Sequence, residues 1–431
     1  MQLATSRIKM SSLSVASAAA APLIDIGCNL LDPMFRGEYR GKQQHDSDFP
    51  LILQRGWEQN VQKVIITAGT LQETKDALAL ARTDPRLYST VGVHPTRCKD
   101  EFVSEEAGTT YLQELVEIAK IGKQEGKIVA VGECGLDYDR IEFCPKDVQK
   151  KWFERQLISL AAQVDLPLFL HCRAAGDDMV ETLREHGISS GVIHSFDGSM
   201  ETMRAMCSLG LSIGINGCSL RTEENLAVVK EIPVDKLLLE TDGPWCDIRS
   251  THPGHQFVQT IFPTVKKPKK FVSGKCVKNR QEICHLRQVL EVVAGVRGVP
   301  VNDLAEQVYQ NTLNVFPGLS EEQNTTAVGS NSGEAKTKSG GGSGGRGGKG
   351  SGGGGGMHTC SDENTVTPFS VDEDFDYDSV KLSGRKQTRD GWTEYATEDT
   401  YNDYLASVGG DEAVLAKKLA GSTQTTKTSV K

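Results

Sequence analysis

Lys127-Ile128-Val129-Ala130-Val131-Gly132-Glu133-Cys134-Gly135-Leu136-Asp137-Tyr138 is the stretch that decides the fold. A short apolar run that begins after polar residues and ends on an acid reads as a strand buried on both faces. The same pattern recurs along the chain. His171 ends Pro167-Leu168-Phe169-Leu170, His194 follows Gly191-Val192-Ile193, and Asp242 follows Leu237-Leu238-Leu239-Glu240-Thr241. In a (β/α)8 barrel the C-terminal ends of the strands form the face that carries chemistry. Two carboxylates and two imidazoles on one rim point to a metal site of hydrolytic type.

Working outward, eight strand candidates can be counted: Leu23–Leu30, Lys63–Ala68, Leu87–His94, Lys127–Glu133, Pro167–His171, Gly191–His194, Leu211–Ile215 and Lys236–Asp242. Helical patterns such as Tyr111–Gln124, Val148–Gln163 and Asp177–His186 lie between them, each long enough for a crossover. Alternating strands and helices imply a parallel sheet, and eight units predict an α/β fold closed as a TIM (β/α)8 barrel, which the strand-end carboxylates and imidazoles would make one of the metal-dependent hydrolase type. An open doubly wound sheet would need a Gly-rich phosphate turn after its first strand. Asp25-Ile26-Gly27-Cys28-Asn29 stands there instead. Gln281–Val296 and Val301–Phe316 read as closing helices outside the barrel.

Each rim residue has a plain reading beside its chemical one. Glu133, with glycines at 132 and 135, is a metal ligand able to bridge two ions about 4 Å apart, or the cap of the next turn. A single strand-end histidine is most often a satisfied core residue. His171 and His194 occupy matching positions beside two carboxylates, which favours ligation. Asp242 can ligate an ion and take a proton from bound water, making Glu133 and Asp242 the catalytic candidates. Glu240, two residues before Asp242, faces the same side by strand alternation and reads as a buried supporting carboxylate. Asp25, His94 and Arg173 are candidate metal or phosphate contacts. Lys266, Lys267, Lys269 and Lys270, expected on the catalytic side, are either nucleic-acid contacts or a solvated loop.

Composition sets the domain limits. A chain of 431 residues exceeds one compact core. Residues 23–318 form the expected barrel. Residues 319–356 are polar and then almost entirely Gly, a flexible linker. Residues 357–431 hold 14 Asp+Glu against 8 Lys+Arg, a charge of −6 out of −9 for the whole chain, and read as an acidic, largely disordered tail whose partner is not written in its composition. Residues 1–22 hold Arg7 and Lys9, many Ser and Ala and no acid. They are either an unstructured extension or a transit-like segment directing the chain to an organelle such as the mitochondrion. The eleven cysteines contain no C-x-x-C pair and read as thiols of a reducing compartment, cytoplasmic or nuclear. No run of 18 apolar residues is present, so no membrane partner is expected.

Six motifs together resemble the TatD family of metal-dependent deoxyribonucleases: Asp25–Leu30, Gly92-Val93-His94-Pro95, Gly132–Tyr138, Leu170-His171-Cys172-Arg173, Ile193-His194-Ser195-Phe196 and Glu240–Trp245. The segments Pro33–Gly37 and His94–Cys98 look like the eukaryotic branch close to TatD itself. The resemblance implies a DNA substrate and 3′-to-5′ exonuclease action on single strands. It also implies a role in DNA repair or DNA breakdown, and a two-ion divalent cofactor, Mg2+ first with Mn2+ or Zn2+ as alternatives. Three departures stand out. Gly27 and Asn29 replace the His-x-His of many relatives, Arg280-Gln281-Glu282-Ile283 replaces Arg-Asn-Glu-Pro, and Gly243 replaces the commoner Ala. The competing readings are an amide or lactone hydrolase on the same barrel, and a relative that has lost catalysis.

Overall fold

A computed structural model describes residues 21–320, together with the backbone of 385–388 and 391–394. The expected N-terminal extension, linker and tail otherwise lie outside the described residues. Within the tail, Arg385–Thr388 and Gly391–Glu394 pair as an antiparallel hairpin.

Eight parallel strands form one sheet in strict chain order. They are β1 (Leu23–Cys28), β2 (Val61–Ile66), β3 (Leu87–Val91), β4 (Ile128–Asp137), β5 (Leu168–Arg173), β6 (Gly191–His194), β7 (Ser212–Ile215) and β8 (Leu237–Leu239). The helices that follow them are α1 (Phe49–Glu58), α2 (Leu71–Ala81), α3 (Glu105–Gln124), α4 (Lys146–Gln156), α5 (Gly176–Glu185), α6 (Met200–Ser208), α7 (Glu223–Glu231) and α8 (Leu286–Arg297), with α9 (Val301–Val315) last. Sequential parallel pairing with a helix after each strand is the TIM-barrel topology. Every expected strand is present, offset by a few residues. β4 is the exception, running four residues past Glu133 to Asp137. The expected helix over 148–163 breaks into α4, a π-helical turn at Leu157–Ala161 and a last turn at Ala162–Val164.

The seam between β8 and β1 is closed by a side chain. Asp25 is fully buried and accepts from Thr241 N at 2.9 Å and Thr241 Oγ1 at 2.6 Å. Backbone bonds complete the closure above it, Asp242 N to Gly27 O at 2.8 Å and Asn29 N to Gly243 O at 2.7 Å. Burial pushes the Asp25 pKa up to about 8, against the bonds from Thr241.

The barrel core is built from Ile24, Ile26, Ile65, Tyr88, Val129, Phe169, Val192 and Leu238, with Phe316 and Leu319 packed against them. Leu319 therefore belongs to the barrel, although the sequence reading starts the linker there. A chain leaving a helix with a Pro-Gly turn can still return one apolar side chain to the core, and composition alone does not register that. Arg280 is likewise buried, bidentate to Asp48 at 2.9 and 2.6 Å and bonded to Glu282 at 2.8 Å. Arg55 completes the group on the other Glu282 oxygen at 2.7 Å. The altered Arg280-Gln281-Glu282-Ile283 motif thus carries a buried ion network that ties the loop after β8 to α1 and to the segment before it.

Candidate metal centre

Glu133 stands where β4 departs from regular pairing. The β4–β5 register shifts between Val131 and Cys134. Gly132 lies at φ +152°, and a Cβ there would sit 2.1 Å from Phe169 O, so only glycine allows the chain to turn here. Glu133 then presents Oε1 to three imidazoles: His171 Nδ1 at 2.8 Å, His194 Nε2 at 2.8 Å and His94 Nε2 at 3.4 Å. His171 and His194 lie side by side at the ends of β5 and β6, paired in register. Their facing nitrogens are 3.3 Å apart.

Each of these two histidines has a carboxylate behind it. Asp137 Oδ2 lies 3.2 Å from His171 Nε2, and Glu240 Oε1 lies 3.5 Å from His194 Nδ1. A carboxylate on the outer nitrogen fixes the ring and turns the inner lone pair toward a cation, the usual support for a metal-bound histidine. Glu240 is itself fully buried and is held by Ser195 N at 2.6 Å and Asn216 Nδ2 at 3.0 Å. Gly27 makes room for it, since a Cβ there would be 2.7 Å from Glu240 Oε2.

The donors fit a divalent cation. Glu133, His171 and His194 form one group with all ligand atoms within 4.8 Å, and His94, Asp137 and His171 form another. Two ligands at 2.0–2.1 Å and a tetrahedral angle are separated by about 3.3 Å. The 3.3 Å between His171 Nδ1 and His194 Nε2 and the 3.4 Å from Glu133 Oε1 to His94 Nε2 are of that size. Electrostatics agree. Burial opposes charge on Glu133, yet His194 and His94 hold its pKa well below the carboxylate range. Burial likewise opposes charge on His194, but Glu133 and Glu240 hold it well above the usual imidazole value, and His171 is raised by Asp137 and Glu133. His94 moves the other way, lowered by burial. An anion ringed by imidazoles, with further anions behind them, is a cradle for positive charge.

The remaining candidates divide. Asp242, at φ +51°, belongs to neither three-donor group. Its Oδ1 accepts from Asn29 Nδ2 at 2.9 Å, and Cys246 Sγ donates to Oδ2 at 3.2 Å. Asn29 is held in turn by Thr67 Oγ1 at 2.6 Å. His94 joins the cluster. Arg173 ends β5 at the rim, with Nη1 3.4 Å from Asp197. Asp25 does not meet the cluster, because both its oxygens serve the β8–β1 seam. Lys266, Lys267, Lys269 and Lys270 are exposed on the loop that leaves the C-terminal end of β8. Phe271 pins that loop to the β1–α1 loop by stacking on His45 at 4.3 Å.

The sequence reading passed over Asp137, Asn29 and two glutamines. Asp137 has the parity of Glu133, and period-2 alternation would have found it had the strand been continued. Gln149 and Gln156 are fully buried on α4. Gln149 accepts from Asp137 N at 2.7 Å and donates to Asp137 O at 2.8 Å. Gln156 accepts from Val93 N at 2.8 Å and donates to Val93 O at 3.1 Å, next to His94. Their seven-residue spacing on one helix face was the available signal.

Known proteins resemble this chain. A family model described as TatD related DNase matches residues 24–317. The Schizosaccharomyces pombe protein named "Deoxyribonuclease Tat-D" is 43% identical over 311 residues, 71% of this chain and 99% of the relative. The Erwinia amylovora protein named "3'-5' ssDNA/RNA exonuclease TatD" is 33% identical over 300 residues, 68% of this chain and 99% of its own length. A solved hydrolase TatD family protein from Entamoeba histolytica aligns with a TM-score of 0.64 at 33% identity, over 69% of this chain and 99% of that one. With barrel, rim and six motifs all inside the matched span, this chain belongs to the TatD-related DNase family.

Proposed function

We propose that the protein is a divalent-metal-dependent deoxyribonuclease, working as a 3′-to-5′ exonuclease on single-stranded DNA. The observation that carries the metal-dependent chemistry is the convergence of His171 and His194 on Glu133 Oε1 with carboxylates behind both rings, and the polarity and strand preference rest on likeness to the Erwinia amylovora exonuclease. Glu133, His171 and His194 would hold one cation, and Asp242 would be a ligand for a second. Mg2+ is the first choice and Mn2+ or Zn2+ the alternatives, since carboxylates suit the harder ions and imidazoles the softer. Such cations neutralise phosphate charge and lower the pKa of water toward neutrality.

The chain's own residues do the rest. Asp242 receives a proton from the attacking water. Burial pushes its pKa up to about 6, against the pull of His194 and with help from Glu240 and Glu133, so it is an ionised base at neutral pH. Asn29 and Cys246 hold its two oxygens. His94 and Arg173 contact the phosphate, and the exposed lysine loop draws the strand toward the rim. The catalytic unit is residues 21–320, and residues 1–20 and the acidic tail take no part in the chemistry. A part in DNA repair or DNA breakdown in the cytoplasm or nucleus follows from this reading.

The test is digestion of 5′-labelled single-stranded DNA with EDTA, then with Mg2+, Mn2+ or Zn2+ restored, beside simple amides and lactones. Stepwise shortening that depends on the cation is expected. Turnover of an amide or lactone with no effect on DNA would replace this reading with that of a small-molecule hydrolase.

A further inference from the structure

A second cluster lies on the loop after β8, outside the metal centre. Cys276, Cys284 and His285 have their ligand atoms all within 4.8 Å of one another. Cys276 belongs to the short ribbon of Thr264–Val265 with Cys276–Val277, which closes the lysine loop, and Cys284 lies in the turn that opens α8. Both thiols are free.

The hydrogen bonding at His285 decides what the cluster is suited to hold. Glu282 N donates to His285 Nδ1 at 2.9 Å. A neutral ring that accepts at Nδ1, the nitrogen that Cys284 Sγ also meets at 4.0 Å, carries its proton on Nε2. A metal-bound histidine is arranged the opposite way, donating through one nitrogen and ligating through the other. The trio therefore suits a stabilised thiolate rather than a cation. The Arg55 guanidinium is close enough to be influenced by both sulfurs. Hydrogen bonding from Cys284 and from His285, against burial, brings Cys276 down to about 6, while burial and Cys276 push Cys284 up. Cys276, on the short ribbon with exposed residues on either side, is the sulfur a reagent reaches first, and Cys284 stands beside it.

We propose that Cys276 and Cys284 form an oxidisable dithiol, a modification site that a hydroperoxide converts to a disulfide, shifting the turn that carries Asp242. The Cys276 thiolate attacks the outer oxygen of the hydroperoxide, and the O–O bond breaks. The resulting alkoxide takes a proton and leaves as alcohol, giving a sulfenic acid. The Cys284 sulfur then attacks the Cys276 sulfur, the S–S bond forms, and the S–O bond breaks with loss of water. Two thiols are oxidised, and the hydroperoxide is reduced to alcohol and water.

Access and coupling both follow from the backbone. Cys276 is 1% exposed, but residues 272–275 and 278–279 on either side are exposed. The ribbon is only two residues long, so local opening uncovers the sulfur without unfolding the barrel. Gln281 lies between the two cysteines, and its N–H donates to Pro244 O at 3.0 Å. A Cβ on Gly243 would stand 2.9 Å from Gln281 O, so the two backbones are in direct contact beside Asp242. Drawing the sulfurs to about 2.05 Å shortens the span that holds Gln281. A displacement of about 1 Å at a reacting group can cost about a hundredfold in rate.

The experiment treats the full chain with tert-butyl hydroperoxide, blocks remaining thiols with N-ethylmaleimide and digests with trypsin. Cys276-Val277-Lys278 linked to Gln281–Arg287 is the expected product. In Cys284→Ser, dimedone should trap a sulfenic acid at Cys276. Nuclease activity of the parent should fall at least about fivefold on oxidation and return with dithiothreitol, and Cys284→Ser should lack the loss that dithiothreitol restores. Full alkylation of both cysteines, at a peroxide dose that oxidises the denatured chain, would overturn the proposal. So would one equivalent of Zn2+ that protects both thiols and is lost in Cys276→Ser. A cross-link without any change in activity would overturn the coupling to Asp242. Only the activity readout rests on the nuclease reading. A reduced protein inactive on DNA would count against that reading, while the peptide map would still decide for or against the dithiol.

Discussion

Glu133 carries the centre, because its Oε1 meets all three histidines. Glu133→Gln keeps the shape and removes the charge that the imidazoles face. It should fold, lose at least about a hundredfold in rate and lose bound metal, measured by metal analysis after dialysis. Asp242→Asn should lose a similar factor in rate while keeping more metal, since His171 and His194 remain. Near-parental activity with normal metal content in Glu133→Gln would remove this rim as the active site. Asp137→Asn should weaken metal binding about 10- to 100-fold, since Asp137 backs His171 and also stands in the donor group with His94. Protonation supplies a further check. Against burial, the neighbouring carboxylates raise the pKa of both histidines, so as pH falls each gains a proton that a metal must displace. Metal affinity should therefore rise with pH, and calorimetry in buffers of different ionisation heat should register proton release. Affinity that stays flat as pH falls would contradict the His171–His194 pair as ligands.

At the scale of elements, α4 reaches into the site through Gln149 and Gln156, which satisfy the backbone of Asp137 and Val93 where the sheet does not. Gln149→Leu removes the partner of the Asp137 N–H and C=O and of the Cys144 C=O, at about 1–3 kcal/mol for each group left unpaired. We expect a lower Tm together with a loss of rate, since Asp137 is then free to move. An unchanged Tm would mean that water replaces the amide. The lysine loop tests the substrate reading. If Lys266, Lys267, Lys269 and Lys270 meet phosphates, changing all four to Ala should weaken binding of single-stranded DNA and flatten its salt dependence by about 0.7 per contact. A parental slope would make the run a solvated loop.

For the whole molecule, the described barrel is complete at Ser320. A chain ending there should fold with the parent Tm and keep kcat within a few-fold on short DNA. Ending at Gly318 removes the buried Leu319 and should cost about 2–5 kcal/mol, as emptying a core leucine site does. Thermal unfolding of the two truncations compares them directly. Equal Tm values would mean that the base of the barrel closes without Leu319.

Eight apolar runs, five of them ending in His, Asp or Glu, were enough to read the barrel, its strand order and the strand-end positions of Glu133, His94, His171, His194 and Asp242. Burial on both faces imposes a continuous apolar pattern, and parallel topology places every strand end on one face. The six motifs added the family. The sequence could not reveal what depends on contacts between distant segments. Asp25 was a rim candidate by position, and only the meeting of β1 with β8 turned it into the bridge of the seam. Asp137 and Glu240 became supports for His171 and His194 because neighbouring strands brought them together. Asn29 reaches Asp242 across 213 residues, and Arg280 reaches Asp48 across 232. Local pattern determines which face a side chain takes, since that follows from backbone period alone. Which partner it meets there is set by closure of the barrel, and closure has no local period to read.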